Sequence, residues 1–81
     1  MSTEPFSLWV VYDHPTDAPY WFVARRWEMH QPTGEMAPSR DPGSLLYAHD
    51  LEFLRQRLAA RGLVRILRAD TDDAKIVESW L

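Results

Sequence analysis

The run Leu8-Trp9-Val10-Val11-Tyr12 carries no polar residue on either of its alternate sets, and this constrains the fold more than any other feature of the chain. β-Branched and aromatic side chains on both faces of a pleated segment describe a strand covered on both sides, at the centre of a sheet. The run stops at Asp13-His14-Pro15, where proline cannot donate to a ladder and holds the residue before it extended. A connection of about seven residues, closed by Thr16-Asp17-Ala18-Pro19, is longer than a tight hairpin turn. It leads into a second strand, Tyr20–Met29, so Phe6–Met29 is expected to be a hairpin holding Trp9, Trp21 and Trp27.

In that second strand one alternate set is Trp21, Val23, Arg25, Trp27 and Met29, and the other is Phe22, Ala24, Arg26 and Glu28. The first set is the more apolar and is expected to face the core, with the second meeting solvent towards the strand's end. Arg25 is the anomaly in the apolar register, and stacking on an aromatic face would accommodate it. His30–Ser44 holds three prolines and two glycines with no periodicity, and is expected to be a loop. Ser44–Ala48 offers a short edge strand.

Asp50 is placed to cap a helix over Leu51–Arg61. Its carboxylate can accept from free amides of the first turn, and Glu52 suits the positive end of the dipole. Leu51, Leu54 and Leu58 form one apolar stripe, which Phe53 and Ala60 would widen; Arg55, Gln56 and Arg57 take the outer arc, and Gly62 supplies the left-handed stop. Leu63–Arg68 reads as a short strand or an extended return, and Ala69–Asp73 as a turn. Helix and strand compete over Ile76–Leu81; its shortness, its Ile, Val and Trp, and its apolar end favour a strand beside the first. The expected fold is a single α+β domain over residues 1–81, in the order β-β-(β)-α-β-β. A frayed lead at 1–5 precedes a mainly antiparallel sheet with one helix on one face.

The succession WVVYDHP, FVARRWE, LEFLRQRL and DDAKIVESWL resembles that of a set of short bacterial proteins, some of them prophage-associated. The resemblance spans nearly the whole chain. It implies a terminal strand and a bacterial cytosolic setting; it implies no activity, cofactor or catalytic residue.

Several functions are disfavoured by composition. The absence of cysteine excludes a disulfide framework, thiolate metal sites and a cysteine nucleophile. The three isolated glycines form no phosphate-binding loop, so no nucleotide cofactor is expected. His14, His30 and His49 stand too far apart in sequence for a usual zinc motif, and no metal is expected. No apolar run approaches the ~20 residues of a membrane helix, and the opening Met-Ser-Thr-Glu-Pro lacks the regions of a secretion signal. A cytoplasmic location is the expectation.

Three candidate sites remain. Asp13 and His14, with Asp17 nearby, could pair as a general base and its orienting partner; the plainer reading is turn chemistry before a proline. Arg25, Arg26, Arg65 and Arg68 with Trp27 could line a sheet face for single-stranded nucleic acid. A net charge of −3 argues against that, and the plainer reading pairs these arginines with Glu28, Glu78 or Asp70. Tyr12, Tyr20, Trp21, Trp27 and Trp80 are more rings than one helix is expected to cover. They are either the core of a very small domain or the anchors of an interface, and the sequence leaves both open. The leading expectation is a small protein-interaction module or subunit of a complex. It would use an open sheet face or an edge strand, with Trp21, Arg25, Trp27 and Trp80 as anchors and self-association as one outcome.

Overall fold

A computed structural model describes residues 6–30, 34–67 and 74–81. The expected lead at 1–5, the turn within 69–73, and Arg68 and Asp70 lie outside these. The elements run β1 (Ser7–Asp13), β2 (Phe22–His30), β3 (Glu35–Pro38), a single 3₁₀ turn (Pro42–Ser44), β4 (Leu45–Ala48), α1 (Leu51–Ala59), β5 (Arg65–Leu67) and β6 (Ile76–Trp80). Every strand pairing among them is antiparallel. The sheet order is β3-β2-β1-β6-β5, with β4 also on β2. This is the α+β fold expected, with the hairpin central and the last strand beside the first.

The helix follows its local chemistry. Asp50 accepts from the Glu52 amide at 2.9 Å, and Gly62 adopts φ +80° beyond the last turn. Leu54 and Leu58 are fully buried against Trp9, Val11, Ala24, Leu46, Ala48 and Trp80, with Leu51 packed at the margin. The helix is shorter than expected, ending at Ala59, and Phe53 and Ala60 are exposed and do not widen its contact.

Two expectations are corrected. Residues 30–44 are not simply a loop, because β3 pairs with β2 from Trp27↔Pro38 to His30↔Glu35. Pro38 fits there: the Ser39 amide bonds the Arg26 carbonyl at 2.9 Å, so the alternation of the ladder turns the Pro38 nitrogen away from β2. β4 then continues along the same side of β2. From Trp27 to Arg25 β2 advances two residues, while the facing chain advances seven, from Pro38 to Leu45, through an excursion around the 3₁₀ turn.

The second correction concerns the faces of β2. The set under the helix is Phe22, Ala24, Arg26 and Glu28, not Val23, Arg25 and Trp27. Counting apolar side chains selected the wrong face, because what admits the helix is relief. Ala24 and Ala48 leave a hollow, fully closed at Ala24, into which Leu54 and Leu58 fit.

Candidate interaction face

Strand pairing assigns every strand residue to one side of the sheet, since directly opposed residues share a face. The side under α1 receives Asp13, Arg26, Glu28, Glu35, Arg65 and Glu78 among its strand residues. Among the described residues the far side receives one charged strand residue, Arg25, together with Leu8, Val10, Tyr12, Val23, Trp27 and other mostly apolar neighbours. The usual distribution is inverted: the face without a helix is the less charged one.

On the helix side Glu78, Arg26 and Glu28 are paired. Arg55, expected on the outer arc, reaches inward to Glu78, with Nε 3.1 Å from both carboxylate oxygens and Nη2 2.7 Å from Oε1. Trp80 Nε1 donates to Oε2 of the same carboxylate at 2.8 Å. Hydrogen bonding to Glu78, which outweighs the effect of burial, holds the Arg55 pKa above its ordinary value. Arg26 donates to Glu28 at 3.2 Å, to Ser39 at 2.9 Å, and to Asp41. The arginine stacked over a tryptophan is Arg61, 5.2 Å above the Trp9 ring. Arg25 instead lies 3.6 Å from Asp17.

On the far side the centre is sealed by its own rings. Trp27 Nε1 donates to the Tyr12 hydroxyl at 3.2 Å, and in the register that bond spans the Val10–Arg25 pair. Val10 and Val23 are accordingly buried although no helix lies over them. Around this roof the apolar side chains stay open: Met36, Tyr47, Val64, Ile66 and Leu81 are each 40% or more exposed. Trp21 extends the face at one end, stacked on His49 with ring centres 3.9 Å apart and edge-on to Tyr47 at 6.2 Å. A cleft of about 140 Å³ opens between Tyr12, Pro15, Asp17, Val23 and Arg25.

The sequence-derived anchors thus separate. Trp21, Arg25 and Trp27 share the open face, whereas Trp80 is in the core beneath α1 and is not available as an anchor. Arg25 and Arg26 project to opposite faces, and Arg65 falls on the same side as Arg26, so these three arginines form no common patch on one face; Arg68 lies outside the described residues. Tyr20, in the turn before β2, is almost wholly exposed. Missed by sequence reasoning were Tyr47, Val64, Ile66 and Leu81. The signal that would have found them is parity, since each continues the register of Val10 through its neighbours.

Asp13 and His14 are hydrogen bonded to one another, and His14 has φ +47°, in the left-handed region that histidine tolerates better than most residues. The His14 amide donates to the Trp21 carbonyl at 3.1 Å and its carbonyl accepts from Lys75 Nζ at 3.1 Å. These bonds build a turn. Among the described residues no three His, Asp or Glu side chains are grouped to hold a metal ion, and no helix is long and apolar enough to cross a membrane. What the fold and this face define is a small α+β domain with its helix on the more charged side of an antiparallel sheet. No family model, curated protein or solved structure matches the chain.

Proposed function

We propose that the protein is a small cytosolic protein-interaction module, or a subunit of a complex, that docks through the sheet face opposite α1. The observation that carries this reading is the inverted charge distribution among the described residues: six charged strand residues on the helix side of the sheet and Arg25 alone on the other. Interface centres are depleted in charge and enriched in tryptophan, tyrosine and arginine. Trp27, Tyr12 and Arg25 hold the centre of this face, with open aliphatic side chains around them.

The test is capture with tagged protein from a lysate of the source cell, nuclease-treated and at moderate salt, comparing wild type with Tyr47→Asp and Ile66→Asp. Both side chains are more than 40% exposed, so the substitutions place a charge on the face without opening the core. Capture lost in these variants and retained in Gln56→Asp, on the exposed helix surface, supports the reading. Capture unaffected by either face variant overturns it. Capture abolished by nuclease and salt together would instead favour a nucleic-acid partner, because phosphate contacts are salt-sensitive.

A further inference from the structure

We propose that the partner seated on this face is a second copy of the same chain, the two sheets stacking face to face about a two-fold axis. This rests on the interaction reading above and names its partner.

Pairing of sheet edges, the other route to a dimer, is disfavoured by features of both edges among the described residues. A two-fold pairing of β5 on itself centred at Arg65 would set two copies of this arginine side by side on the same face, a repulsive arrangement. The opposite edge is interrupted between β3 and β4 by the excursion around Pro42–Ser44, leaving two separate four-residue stretches. Edges broken or charged in this way discourage extension of the sheet.

The face has no such defence. Among the described residues its one charged strand residue, Arg25, stands beside Asp17, so the pair carries both signs and no net charge. A two-fold operation brings like surface to like surface, and only a face neutral in this sense accepts its own copy without repulsion.

The area is sufficient. Strands about 4.8 Å apart, in five positions and roughly 20 Å long on average, present on the order of 500 Å² per copy. About 1,000 Å² for the pair lies at the threshold of a biological interface, the size of a weak and reversible contact.

Sedimentation equilibrium on the full chain, from about 5 µM to about 500 µM, reads this directly. The expected result is a mass rising from 9.5 kDa towards twice that value. Tyr47→Asp and Ile66→Asp, each with a wild-type circular dichroism spectrum, should weaken dimerisation at least about tenfold, and Gln56→Asp, on the outer side of α1, should leave it unchanged. A wild-type mass of 9.5 kDa at every concentration overturns the proposal, as does a dimer that both face variants leave intact. The first result removes the second copy as partner but not the docking reading, whose failure shows separately as capture indifferent to the same two variants.

Discussion

Arg55 and Glu78 form a two-pronged ion pair across the interface between α1 and β6, with the carboxylate buried and a further bond to it supplied by Trp80. Twenty-three residues separate the pair in the chain. It clamps the helix to the last strand, where it sits over Trp9 and Trp80 as well as the two alanines.

Removing one partner strands the other. Arg55→Ala should destabilise the domain by about 3 kcal/mol, because Glu78 keeps its burial and loses its cation. Replacing both, as Arg55→Met with Glu78→Leu, should cost far less than the sum of the single changes. Urea unfolding of the four proteins in a double-mutant cycle checks both figures.

The same pair predicts a flat pH response. The Arg55 pKa is raised on folding. A raised base contributes fully below its unfolded pKa and loses that contribution only as pH climbs through the folded value. Both values lie far above neutrality, so the stability difference between wild type and the double variant Arg55→Met/Glu78→Leu, which leaves neither partner to titrate, should stay constant between about pH 6 and pH 9. Unfolding curves across that interval test it.

The two faces should respond differently to losing a ring. Trp9→Ala removes a buried side chain from the packed core and should cost about 3–5 kcal/mol. Trp27→Ala acts on a half-buried roof and should cost about 1–2 kcal/mol, with Tyr12→Phe, which removes its hydrogen bond, at about 1 kcal/mol. Equal losses at Trp9 and Trp27 would mean that both faces are core.

Gly62 ends the helix at φ +80°, a conformation that costs an L side chain about 1–2 kcal/mol. A methyl group added there would meet nothing within 4 Å, so Gly62→Ala should show that strain without a clash. Thermal unfolding, with Asp50→Ala as a cap-loss comparison at about 1 kcal/mol, measures it.

Much of this fold was legible because its signals are local. The apolar run of β1, the cap at Asp50, the Leu54–Leu58 stripe and the Gly62 stop each act within one turn or strand. β3 was hidden because Glu35-Met36-Ala37-Pro38 has no strand pattern of its own and is held by pairing with β2. The face of β2 was misjudged because register depends on partners. Val11 opposite Ala24, with Leu54 and Leu58 above, decides the core side whatever the count of apolar residues on the other. Trp80 read as an anchor for a related reason, since a ring near a chain end gives no sign of which face it will meet. Arg55 read as solvent-facing because its partner is remote in sequence.

The central claim is that contacts are made through the sheet face opposite the helix, and the four tryptophans report on it independently. Trp9 and Trp80 lie beneath α1, while Trp21 and Trp27 lie on the other face. The measurement is a ¹H–¹⁵N NMR spectrum of the indole N–H signals, recorded across a dilution series of the protein alone and again at saturation with any captured partner. The account predicts that the Trp21 and Trp27 signals move on association while those of Trp9 and Trp80 hold their positions. Movement confined to Trp9 and Trp80, or four stationary signals under every condition, would contradict it.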